Sequence, residues 1–153
     1  MTLKEQSGYY YKNGKSCAEA LLTAANDVYG TNFSDAEILT FTGFGGGMGC
    51  KSTCGSLTGA IAILSRMYGK RAEIRDICAE YVKIFTEGMG IDSIECGALE
   101  EKYRTVEARC QVTVEMTAEM LEKYIDKLEG RSNKAPAGEG CTLSPEDIKR
   151  VKG

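Results

Sequence analysis

Seven cysteines and no histidine set the chemistry open to this chain of 153 residues. Without imidazole there is no Ser-His-Asp or Cys-His activation of a nucleophile, no Cys/His zinc site and no histidine-ligated haem. Any metal must be held by cysteine, carboxylate or backbone oxygen. An odd cysteine count leaves at least one thiol outside any pairing. In a reducing compartment, seven favour catalytic, redox or metal-binding roles over a disulfide framework.

Four of these cysteines fall at predicted helix starts. Cys54 ends the stretch Gly43 to Cys54, whose first seven residues hold five glycines. Each would cost about 1 kcal/mol in a helix, so this stretch is a loop. The apolar spacing of Leu57, Ala60, Ile61, Ile63, Leu64 and Tyr68, closed by Gly69, then predicts a buried helix with Thr53 or Ser52 as N-cap. Ser16 and Glu19 form a capping-box pattern that places Cys17 first in another helix, which Gly30 closes. Cys96 falls in the first turn of a short helix capped by Ser93, and Cys110 near the start of the longest helix, predicted from about Thr105 to Glu129. Exposed N–H groups and the helix dipole favour thiolate over thiol at such positions and lower the cysteine pKa. Four such ends brought together suit a metal, an iron-sulfur cluster or an exchangeable disulfide. Cys78 reads as core filler, and Cys141 has no assigned role.

The remaining elements are helical too. A short helix spans residues 2–12. Ser34 and Glu37 cap another that carries Ile38, Leu39 and Phe41 into the glycine loop, and residues 72–87 have an amphipathic helical period. The fold class expected is all-α: a single-domain bundle of five or six helices over residues 1–130, with the glycine-rich loop before the central helix. Residues 131–153 read as a flexible linker with one short helix opened by Ser144-Pro145. The loop is not a nucleotide cradle. Cys50 separates Gly49 from Lys51-Ser52, no strand precedes, and neither register fits G-x-G-x-x-G.

Composition narrows the partners. A net charge of −3 and 42% hydrophobic residues do not describe a nucleic-acid surface. The chain shows neither a leader pattern nor an apolar run near the ~20 residues of a membrane span, which gives a cytoplasmic expectation.

The segments Lys15-Ser16-Cys17-Ala18-Glu19-Ala20, Gly43 to Gly49 and Thr53-Cys54-Gly55-Ser56-Leu57-Thr58-Gly59-Ala60 resemble the C_GCAxxG_C_C family of redox-active proteins, with Cys96 and Cys110 completing the pattern. The resemblance covers roughly residues 5–128 and implies a small redox domain whose characteristic cysteines are Cys17, Cys54, Cys96 and Cys110. Ser56 departs from the family's usual alanine, and its hydroxyl needs a partner if buried. Cys50 lies outside the pattern.

The leading reading is a cytoplasmic redox protein. In dithiol chemistry Cys54 attacks and Cys50 or Cys17 resolves; in an iron-sulfur or other thiolate-bound metal site, Cys17, Cys54, Cys96 and Cys110 are the ligands. The expected partner is a redox protein or small molecule, and a homodimer fits a small helical domain. One rival is a structural four-cysteine zinc or disulfide site. Another is a binding module in which Gly45, Gly46 and Gly47 present amides to an anion or cofactor, with Gly55 and Gly59 offering bare backbone. The Gly55/Gly59 pair reads equally as a place for a neighbouring helix to approach closely.

Overall fold

Serine caps fix where the early helices begin. Ser34 forms a complete box: the Glu37 N–H donates to its hydroxyl at 3.1 Å, and the Ser34 N–H donates to the Glu37 carboxylate at 3.0 Å. At Ser16 only one half is present, a 3.4 Å bond from the Glu19 N–H to the hydroxyl. Ser34→Ala is therefore expected to cost about 1 kcal/mol and Ser16→Ala about half of that. Thermal melts of the two variants check the order.

The computed structural model describes residues 1–130; the predicted linker, the helix opened by Ser144-Pro145 and Cys141 lie outside the described residues. Among those described there are seven α-helices rather than five or six: α1 Leu3–Lys12, α2 Cys17–Tyr29, α3 Asp35–Leu39, α4 Gly55–Tyr68, α5 Ile74–Met89, α6 Cys96–Tyr103 and α7 Gln111–Leu128. The all-α class stands.

α4 is the central helix. It packs against α2, α5 and α7, while α1 closes over α2 and α7. Leu57, Ala60, Ile63, Leu64 and Tyr68 are buried along its inner face, meeting Leu21, Leu22 and Ala25 of α2, Tyr81 and Phe85 of α5 and Leu121 and Ile125 of α7 in one core. Two buried tyrosine hydroxyls find backbone acceptors: Tyr81 donates to the Thr117 carbonyl at 2.9 Å and Tyr124 to the Ile77 carbonyl at 3.0 Å.

The Gly55/Gly59 face is covered by α2. A Cβ at Gly59 would lie 3.0 Å from the Ala18 Cα, and one at Gly55 would lie 2.9 Å from the Phe44 carbonyl oxygen and 3.4 Å from the Cys17 Cβ. The packing shows close helix approach at this pair. That approach presses the first turn of α2, with Cys17, against the first turn of α4.

The boundaries differ from the sequence expectation mostly at starts. α7 begins at Gln111, because residues 105–109 form a tight turn in which Thr105 and Arg109 exchange N–H to carbonyl bonds of 3.1 and 2.8 Å. α3 stops at Leu39, which points outward, and Phe41 starts the turn that enters the glycine loop.

Candidate functional site

The glycine loop folds back beneath the start of α6. Gly46, Gly47, Met48, Gly49 and Lys51 all have φ between 59 and 74°, a left-handed path that glycine takes without strain. Gly47 is buried, and a Cβ there would lie 2.5 Å from the Cys96 Cβ and 2.6 Å from the Ser52 nitrogen. Bare backbone at this point lets the loop cover Cys96. Gly45 and Gly46 lie further out; a Cβ at Gly46 would meet nothing within 4 Å.

The loop then delivers the chain to α4 through a short antiparallel pairing with the segment before α6. Thr53 bridges to Glu95, the Cys54 N–H donates to the Ile94 carbonyl at 2.9 Å, and the Cys96 N–H donates to the Ser52 carbonyl at 2.5 Å. These bonds set Cys54 and Cys96 side by side at the heads of α4 and α6. The N-cap of α4 is Cys54 itself, with φ −57° and ψ 129°, not Thr53 or Ser52. The Glu95 backbone caps α6, while Ser93 accepts from the Glu95 N–H at 3.1 Å.

Cys17 opens α2 as expected, and Cys110 is the N-cap of α7. The Cys110 N–H donates to the Tyr11 hydroxyl at 3.1 Å, fixing the start of α7 against α1. Cys54 and Cys96 are 4% and 7% exposed, whereas Cys17 and Cys110 are half-buried. Cys17, Cys54 and Cys96 each lie near enough to other cysteines of the set for a charge on one to disfavour a charge on the next.

The electrostatic outcome is the opposite of the sequence expectation. Burial pushes the Cys17 thiol up to about 12, with the neighbouring sulfurs adding to the rise. Burial, followed by the Glu100 carboxylate and the other thiols, pushes Cys96 up to about 11. Cys54 is also raised by burial, although the backbone N–H groups of Leu57 and Ser56 pull it down. The helix-start effect is present at Cys54, but desolvation of the charged form outweighs it.

Ser56 is fully buried and its hydroxyl makes no hydrogen bond. It lies close enough to Cys17 and Cys54 to lower the pKa of each. It is a donor set beside two sulfurs.

A charged group that sequence reading missed borders Cys110. The Arg104 guanidinium N–H faces the Cys110 sulfur at 3.8 Å, and that sulfur lies 4.0 Å from the Glu100 carboxylate. Glu100 is held by Arg104 at 2.5 Å and by Lys51 from the glycine loop, which together keep its carboxyl below the usual range, Lys51 having the larger effect. The i, i+4 spacing of Glu100 and Arg104, six residues before Cys110, was the available signal.

Cys50 is exposed, its sulfur 3.6 Å from the Gly47 carbonyl oxygen, and Cys78 is half-buried on α5. No disulfide forms among the described cysteines, and no three histidine, cysteine, aspartate or glutamate side chains among the described residues are grouped to hold a metal ion. An apolar groove of about 1040 Å³ runs along the outer side of α4 from Thr53 to Lys70, lined by Phe41, Phe44, Ile61 and Val82. No helix of the described residues is long and apolar enough to cross a membrane.

Fold and cysteine placement together define a small all-helical protein with thiols at the heads of four helices. Residues 15–124 match the C_GCAxxG_C_C family, described as "Putative redox-active protein (C_GCAxxG_C_C)", and the chain belongs to that family. No match is found among curated proteins or solved structures.

Proposed function

We propose that this protein is a thiol redox protein in which Cys17, Cys54, Cys96 and Cys110 store and release an electron pair as dithiol and disulfide. What carries this reading is the placement of Cys17, Cys54, Cys96 and Cys110 at the heads of α2, α4, α6 and α7, with Cys54 and Cys96 set side by side by the backbone pairing of residues 52–54 with 94–96. Cysteines placed only as core filler have no reason to gather at four helix starts. The unbonded Ser56 hydroxyl supports it, because a donor beside two sulfurs stabilises whichever becomes anionic during exchange. Cys54 is the central sulfur of the set; its burial argues against its being the first to meet a substrate. A thiolate-bound metal is the weaker reading, because among the described residues no three of these side chains are grouped to hold one.

Thiol counting under denaturation tests the proposal. Metal-free protein should show seven thiols when reduced, lose them in pairs on treatment with a disulfide oxidant, and recover them with dithiothreitol. Cys54→Ser should lose at least one pair fewer. Seven thiols before and after oxidation would defeat the reading, and iron or zinc retained in stoichiometric amount by anaerobically purified protein would replace it with the metal site.

A further inference from the structure

Resting on the redox reading, we infer that Cys110 is the thiol at which a substrate first reacts, and that Arg104 makes this position selective for disulfides bearing negative charge. Three observations converge. Of the four thiols, Cys54 and Cys96 are buried, and Cys17 is wedged by its Cβ against the first turn of α4. Cys110 is half-buried at the head of α7, and an exposed guanidinium faces its sulfur at 3.8 Å.

The charges in contact are unbalanced toward the positive. Glu100 is bonded to both Arg104 and Lys51, so two cations meet one carboxylate beside the sulfur. Arg109, just before Cys110, stacks over the Tyr11 ring at 4.9 Å, and Tyr11 in turn anchors the Cys110 backbone. Arg104 thus sets a positive charge where an incoming disulfide must approach the Cys110 sulfur, and attracts an anionic partner to it.

The exchange balances without a cofactor. The Cys110 thiolate attacks one sulfur of a substrate disulfide, forming a mixed disulfide and expelling the other half as a thiolate. A second thiolate of the set, from Cys17, Cys54 or Cys96, attacks the Cys110 sulfur. An internal disulfide forms and the remaining substrate half leaves. The protein loses two electrons, the substrate gains them, and the two protons of the protein thiols end on the two substrate thiols.

The test uses a Cys50→Ser, Cys78→Ser, Cys141→Ser background, so that only the four thiols remain. Two probes are compared: 5,5′-dithiobis(2-nitrobenzoate), an anionic disulfide, and cystamine, a cationic one. Early-quenched samples are mapped by mass spectrometry. The anionic probe should appear first on Cys110. Arg104→Gln should slow it at least tenfold with little change for cystamine, and Arg104→Lys should recover part of the rate. First labelling of Cys17, Cys54 or Cys96, or an equal slowing of both probes by Arg104→Gln, overturns the inference. If thiols are lost in pairs while the label enters elsewhere, the redox reading survives and this inference alone fails.

Discussion

Gly47→Ala is expected to destabilise the protein by about 3 kcal/mol, far more than alanine at the neighbouring loop glycines. Two costs add. Gly47 has φ 64°, where a Cβ costs about 1–2 kcal/mol. The new carbon would also stand 2.5 Å from the Cys96 Cβ and 2.6 to 2.7 Å from the Ser52 nitrogen and oxygen. None of these is the free end of a flexible side chain, so the loop must lift away from α6. Gly46 and Gly49 share the left-handed backbone, at φ 64 and 74°, but face open space. Alanine at either should cost only the conformational part, about 1 kcal/mol. Thermal melts of the three variants separate the contributions. For a chain of this size the Gly47 variant should melt roughly 6–12 °C lower. Equal effects at all three positions would mean that contact with Cys96 contributes nothing.

Reduced, metal-free protein is expected to lose stability steeply between about pH 9 and pH 12. Cys17 ionises near 9 in an unfolded chain and near 12 in the fold. Below pH 9 the thiol is neutral in both states and its contribution to stability is fully present. As pH rises toward 12 the unfolded chain ionises first and is favoured, so stability falls. The gap is worth roughly 4 kcal/mol. Cys96, near 11 in the fold, adds to the same decline. Tyr10, raised by its hydrogen bond to Asp27, and Tyr124, raised by burial, both reach about 12 and steepen the upper end. Urea titrations at intervals across this range measure the slope. Cys17→Ala should flatten it while leaving the tyrosine contribution. Parallel curves for the variant and the parent would show that Cys17 does not titrate as described.

The readable parts of this fold were those written in local rules. Ser16, Ser34 and Gly30 mark helix ends because capping and left-handed closure are properties of single residues, and α4 ends at Gly69 although that glycine stays in the right-handed region. The inner face of α4 followed from helical spacing alone. Residues 105–109 are a turn where the periodicity predicts helix, because a turn closed by two mutual backbone bonds leaves no signature in side-chain spacing. Thr53 and Ser52 look like caps in isolation, but pairing with residues 94–96 takes them into an extended bridge and passes the capping position to Cys54. Placement of four cysteines at helix starts was visible in sequence, whereas the sign of their pKa shifts was not. A helix end can be read from a few neighbours; the loss of water around a sulfur depends on elements far away in the chain. Glu100 and Arg104 carry no sequence signal beyond their i, i+4 spacing, since only the turn before α7 brings Cys110 back to them.

Serine at position 56 has a thermodynamic consequence of its own. An O–H enclosed beside thiol sulfurs, which are weak acceptors, leaves part of its desolvation cost uncompensated whenever those sulfurs carry their protons. Ionisation of either sulfur turns a weak acceptor into a strong one and offsets that cost. One atom thus makes the protonated interior slightly uncomfortable and its deprotonated counterpart correspondingly easier to reach, narrowing the gap between them from the starting side.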